Sequence, residues 1–252
     1  MSAWLDADWP APPGVRALTT LRCGLGVSRA PFDAFNLGVR CGDDVDAVIE
    51  NRRELASALQ LPSAPRWLRQ VHGVEVAVEP RPVYGDGDEP EADASVTTTP
   101  GTVLAILSAD CLPVVLAASD GSEIAVAHAG WRGLADGVLE ATVATMSTPS
   151  ADVLAWLGPC AGAQAYEIGR DVFDAFVSRD GRAAACFVAT RDGHWKVDLY
   201  ALARQRLADA GIAMEHIHGG GLCTISDRSR FFSHRRDQRT GRIATLVWHD
   251  RD

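Results

Sequence analysis

No stretch of the chain approaches the roughly 20 consecutive apolar residues that a membrane-spanning helix requires. The N-terminus, MSAWLDADWPAPPG, has neither a basic start nor an apolar core, so it does not read as a secretory signal. A basic surplus is missing too: 24 Lys and Arg stand against 33 Asp and Glu, for a net charge of −9. Such a chain has little with which to neutralise a polyphosphate backbone, which argues against nucleic acid as a partner. Local basic clusters then suit small anions better than a long polyanion. The turn Cys23-Gly24-Leu25-Gly26 lacks both the GxGxxG spacing and a GKS/T ending, which excludes the usual nucleotide loops. CxxC and HExxH signatures are absent, as are repeats and low-complexity linkers.

Cysteine is present but scattered. The six residues are Cys23, Cys41, Cys111, Cys160, Cys186 and Cys223. Without an export signal an even count is weak support for disulfides, so the expectation is a cytoplasmic protein with reduced thiols. Cys23, Cys41, Cys160 and Cys186 read as small buried hydrophobes.

What the 252 residues do contain is a substantial apolar fraction, 47%, enough for a sizeable core. Strand-like and helix-like segments interleave from end to end, and chemically capable segments occur in both halves. One domain over 1–252 is therefore expected. Strands are expected over residues 15–22, 66–79 with a break at Gly73, 93–97, 103–107, 113–118, 123–127, 153–157, 195–197, 212–218 and 243–248. Helices are expected over 45–60, capped by Asp43 or Asp44, and over 134–146, 170–179 and 199–210. Residues 80–91, rich in Pro, Gly and acids, read as a solvated loop.

The organising stretch is 103–133. Its first apolar run ends at Ser108-Ala109-Asp110-Cys111, and its third at His128-Ala129-Gly130-Trp131-Arg132-Gly133. Polar residues where strands stop commonly carry function. Upstream, Gln70-Val71-His72-Gly73 closes another strand-like run. Two imidazoles and a thiolate are a sound zinc ligand set, with one position left open, and copper also accepts it. His72, Cys111 and His128 are therefore candidate metal ligands, although spacings of 39 and 17 residues make this a matter of convergence in the fold. Asp110 could orient a ligand or serve as acid or base. The turn AGWRG, with Arg132, has the make-up of an anion site at a helix start. The cluster His234, Arg235, Arg236, Arg239 and Arg242 asks for a phosphate or carboxylate partner, unless Asp227 and Asp237 pair with it.

These segments together resemble the YfiH-type family, also called the laccase-domain or polyphenol oxidase family and regarded as purine nucleoside phosphorylases. The matching pieces are NLG at 36–38, GDD and ENR within 42–53, QVHG at 70–73, DASVT at 93–97, ADCLPV at 109–114, HAGWRG at 128–133, GPC at 158–160, YEIG at 166–169, CT at 223–224, and FFSHRRD with TGR within 231–242. The resemblance implies an α+β fold, with mixed sheets and helices packed on the outer faces. It implies one zinc held by His72, Cys111 and His128, phosphorolysis of adenosine, inosine and methylthioadenosine, and adenosine deamination. The substrates would be small molecules. Arg40, Arg132 and Arg235 would hold phosphate or substrate. Cys111, His128 and Asp110 are the catalytic candidates, and Glu167 is a further candidate acid. Three rivals remain. Cys111 and His128 would also serve a cysteine hydrolase as nucleophile and base. A multicopper oxidase needs many histidines, and this chain has seven with a single His-x-His, His216-Ile217-His218. In the third, the metal is structural and the protein binds a partner.

Overall fold

The computed structural model describes residues 2–82 and 88–250. In chain order the strands are Trp4–Asp6 (β1), Val15–Thr20 (β2), Val76–Val78 (β3), Ala94–Thr97 (β4), Val103–Ser108 (β5), Leu112–Ala118 (β6), Ile124–Ala129 (β7), Val153–Leu157 (β8), Glu167–Gly169 (β9), Phe187–Arg191 (β10), His194–Val197 (β11), Ile217–Gly219 (β12) and Ile243–His249 (β13). The helices are Val45–Ala58 (α1), Trp131–Asp136 (α2), Val138–Thr145 (α3), Arg170–Val177 (α4), Leu199–Asp209 (α5) and His234–Asp237 (α6).

Three sheets form, in the orders β1-β2-β13-β5, β12-β8-β6-β7-β4-β3 and β10-β11-β9. The first and third are antiparallel throughout, whereas the six-stranded sheet is mixed, with parallel pairs at both edges. The expected α+β architecture is thus present. Its layering follows from the two-residue period of the strands. Val114, Leu116, Ala125, Ala127, Ala155 and Leu157 face a core shared with α2, α3, α4 and α5. Their neighbours Val115, Ala117, Val126 and Trp156 face the other way, onto Leu104, Ile106, Val247 and Ala17 of the four-stranded sheet. That sheet's far side, through Val103, Ala105, Leu246 and Trp248, packs on Leu55 and Leu59 of the α1 region together with Phe35 and Leu37. Strands buried on both faces read as near-continuous apolar runs, which is why they stood out in the sequence.

Several expected elements differ. Residues 66–79 hold only the short β3 and isolated bridges at Arg66 and Arg69. The helix expected to follow Gly133 starts at Trp131 and breaks at Gly137, whose φ of +104° suits glycine. The strand over 212–218 shrinks to β12, because a 3-10 turn occupies Met214–His216. β1 and β10, short and partly exposed, lack the apolar alternation that would have marked them. The loop over 80–91 falls partly outside the described residues, and Glu89 within it is buried beside Arg40 and Arg52 rather than solvated. Among the described residues no helix is long and apolar enough to cross a membrane.

One polar knot in the core positions the site. Asn51 of α1, fully buried, accepts from Val27 N and donates to Ser28 Oγ and Asn36 O. Asn36 in turn accepts from Gly38 N and Arg242 N, drawing residues 36–38 against the strand entry at residue 242. Asn51→Ala removes these three bonds at once and leaves the buried carbonyl of Asn36 without this partner, while Ser28 Oγ keeps Asp43. A loss of about 2–4 kcal/mol is expected in urea denaturation, from a cost of about 1–3 kcal/mol for each orphaned buried group. An unchanged midpoint would show the knot to be dispensable.

Candidate metal centre and its cavity

The chain crosses from the four-stranded to the six-stranded sheet between β5 and β6, and Cys111 lies on that crossing. Asp110 takes a φ of +90° there, uncommon for a residue with a side chain. His128 lies near the end of β7, and its neighbours Ala127 and Ala129 face the helical core, so the imidazole faces the opposite side. His72 sits in a turn with a φ of +63°.

Asp93, completely buried at the entry to β4, holds the histidines together. Its Oδ1 accepts from His128 Nδ1 at 2.8 Å and from His72 N at 2.9 Å. Its Oδ2 accepts from Gly73 N at 2.7 Å and Val71 N at 3.0 Å. One carboxylate thus replaces a sheet ladder for the 71–73 turn and fixes the ring of His128. Burial alone would raise the Asp93 carboxyl, but the hydrogen bond and charge of His128 and the backbone N–H groups hold it below the usual carboxylate range.

The ligand atoms of His72, Cys111 and His128 all lie within 4.8 Å of one another, so this group could hold a metal ion. Cys111 Sγ is 3.8 Å from His72 Nε2, and the two imidazoles meet edge to face at 4.8 Å between centroids. With Nδ1 of His128 committed to Asp93, Nε2 is its remaining donor, the arrangement by which carboxylates orient metal-bound histidines. Two imidazoles and a thiolate fit zinc and copper alike. Gly130 leaves room for the cluster: a Cβ there would lie 2.8 Å from His72 Cδ2 and 3.0 Å from Cys111 Sγ. Burial alone would raise the Cys111 thiol. The charge and hydrogen bond of His128, then those of His72, outweigh it and bring the thiol down to about 6. His128 would be lowered by burial, but the Cys111 thiolate and Asp93 hold it up to about 9. The two shifts are mutual, each charge favouring the other, and a metal held through His128 Nε2 would compete with a proton there.

The three residues open onto a cavity of about 480 Å³. Arg132, Arg235, Arg40 and Asp110 all line it. Arg132 lies over the Trp131 ring at 4.4 Å, and Arg235 over the Tyr166 ring at 4.8 Å with Nη1 donating to Glu167 O. Arg40 shares the buried Glu89 with Arg52. Asp110 does not orient the histidines. It accepts from Thr224 Oγ1 and from Arg235 N, both at 2.6 Å. Glu167 bonds Thr190 and Arg191 through its side chain and does not line the cavity. Within the arginine cluster, Arg236 pairs with Asp237, while Asp227 pairs with Arg230 outside it. Asp93, Tyr166, Gln70 and Trp131 were not singled out in the sequence. The signal for Asp93 was an acid opening a buried strand, and its partner lies 35 residues away.

Comparison with known proteins agrees along nearly the whole chain. A family model described as multi-copper polyphenol oxidoreductase laccase matches residues 16–250. A Xylella fastidiosa protein called purine nucleoside phosphorylase is 63% identical, covering 97% of this chain and 96% of its own length. The Escherichia coli purine nucleoside phosphorylase YfiH is 48% identical, covering 98% and 99%. The crystal structure of a DUF152 protein from Neisseria meningitidis superposes with a TM-score of 0.91 at 43% identity, covering 99% of this chain and 100% of that one.

Two outcomes are expected of the centre. Gly130 has ordinary extended backbone angles, so Gly130→Ala adds a methyl group between His72 and Cys111 without backbone strain. It should abolish stoichiometric metal binding, measured by elemental analysis, while the far-ultraviolet circular dichroism stays the same; full metal occupancy would refute the steric argument. In metal-free protein, alkylation of Cys111 by iodoacetamide should rise with pH through an inflection near 6, because the thiolate is the reacting form. An inflection at an ordinary thiol value, about 8.5, would show that the histidines exert no such pull.

Proposed function

The chain belongs to the YfiH-type, laccase-domain family, and from that premise we propose that it is a zinc-dependent purine nucleoside phosphorylase. The substrates we assign are adenosine, inosine and S-methyl-5′-thioadenosine, with hydrolytic deamination of adenosine as a second activity. The observation that carries the reading is the convergence of His72, Cys111 and His128 at a cavity of about 480 Å³ that arginines also line. That volume falls in the range of small-molecule sites, about 300–1,000 Å³.

In this reading His72, Cys111 and His128 hold the zinc and leave one position open. When bound, the ion supplies Lewis acidity toward an oxygen of substrate or water. Arg132 and Arg235 hold phosphate. Each guanidinium is braced on an aromatic ring, so little side-chain freedom is lost when the anion arrives. Asp110 and Thr224 fix the backbone from which Arg235 projects. A phosphate oxygen attacks C1′ of the ribose, the C1′–N9 bond breaks, and the purine leaves with the electron pair and must gain a proton. In deamination, water attacks C6 of the purine and ammonia leaves.

The multi-copper description of the matching family model does not suit these residues. Seven histidines with one His-x-His cannot furnish the several copper centres of such an oxidase. Among the described residues one three-residue His/Cys/Asp/Glu group converges. A second reading has its own observation. Cys111, His128 and Asp93 would also suit the nucleophile, base and orienting acid of a cysteine hydrolase, with the Cys111 thiol brought down to about 6.

Chromatography separates the readings. Adenosine and inosine should release free purine only when phosphate is present, with His72→Ala reducing turnover by about 10²-fold or more, as for loss of a group acting in the transition state. Equal turnover by His72→Ala and wild type would sink the metal-centred reading. Metal-free protein that cleaves amides through an acylated Cys111, and leaves nucleosides intact, would favour the hydrolase.

A further inference from the structure

Phosphorolysis leaves a proton to be supplied. Of the cavity-lining groups that can exchange one, nearly all are committed. Asp110 accepts two short hydrogen bonds from Thr224 and Arg235 N. Burial pushes the Tyr166 hydroxyl up to about 12, too reluctant a donor. The Cys41 thiol donates to Gly38 O. His72, Cys111 and His128 form the metal-binding group. His234 remains. It is the first residue of α6, next to Arg235, and it lines the same cavity.

The ring is oriented. His234 Nδ1 donates to the carbonyl of Gln238 at 2.6 Å, and Gln238 N donates back to His234 O at 2.8 Å. Gln238 takes a φ of +61°, which turns the chain so that both bonds form. The carbonyl can only accept, so Nδ1 carries a hydrogen in either protonation state. Nε2 is then the nitrogen that gains and loses a proton, the requirement for a general acid held in one tautomer.

We infer that His234 is the general acid that protonates the departing purine, an assignment that rests on the phosphorylase reading above. As the C1′–N9 bond breaks, its electron pair passes into the purine, and the purine N7 takes the proton from Nε2 of the imidazolium. The new bond joins C1′ to a phosphate oxygen. The neutral imidazole recovers its proton from the attacking hydrogen phosphate through solvent, so charge and hydrogen balance over the cycle.

The test compares inosine with 7-methylinosine, whose purine already carries a positive charge and leaves without protonation. His234→Gln should lower kcat for inosine by about 10²–10⁴-fold, the usual worth of general acid catalysis. Phosphorolysis of 7-methylinosine should stay close to wild type, and zinc content and melting temperature should not change. The alkaline fall in wild-type kcat/KM for inosine should be missing with 7-methylinosine. A variant that loses both substrates equally, or neither, would overturn the assignment alone. Wild type inert toward both nucleosides in phosphate would overturn the phosphorylase reading and this assignment with it.

Discussion

The buried carboxylate of Asp93 is the constraint on which the site depends. It binds the ring of His128 and three successive backbone N–H groups at residues 71–73. Those four bonds place a turn with no sheet ladder of its own against a strand from the middle of the largest sheet. They also let His72 adopt a left-handed backbone angle that costs of order 1–3 kcal/mol elsewhere. A buried charge is tolerated here because every partner is a donor, and the same donors hold it ionised. The positions of two of the three candidate ligand residues thus reduce to one side chain.

The layered fold explains why the centre stands at a rim. The inner strands β4, β5, β6, β7, β8 and β13 are buried over nearly their whole length, so their faces offer little room for a polar pocket. The ends of the strands offer more, and the β5–β6 crossing brings Cys111 to such an end. The cavity walls come from distant parts of the chain: residues 38–41, the start of α2, Tyr166, and the arginine-bearing segment after residue 233. Asn36 and Asp110 stitch those parts together through Arg242 N and Arg235 N.

The sequence was most legible where burial was complete. β5, β6, β7, β8 and β13 appeared as apolar runs, and α1 and α5 carried their caps at Asp44 and Asp198. His72, Cys111 and His128 were named from residue type, strand ends and family resemblance, since their separations carry no local signature. Less legible was anything decided by a long-range hydrogen bond. The 66–79 segment read as strand with a break at Gly73, yet the carboxylate of Asp93 claims the N–H groups of residues 71–73 that a ladder would have used. Asp110 looked like a partner for the ligands because it precedes Cys111, but its positive φ is coupled to bonds with Thr224 and Arg235, more than 100 residues on. Adjacency in the chain misled where only the folded contact decides.

The order of the four-stranded sheet has a consequence for how the protein is made. β13 lies between β2 and β5, so a strand from beyond residue 242 is an interior one. While a ribosome has synthesised the chain only as far as α6, β2 and β5 each present an unpaired apolar edge, the kind of template on which chains associate wrongly. Arg242, which lines the cavity, lies immediately before that strand. The pairing that closes the sheet therefore also sets Arg242 at the cavity wall.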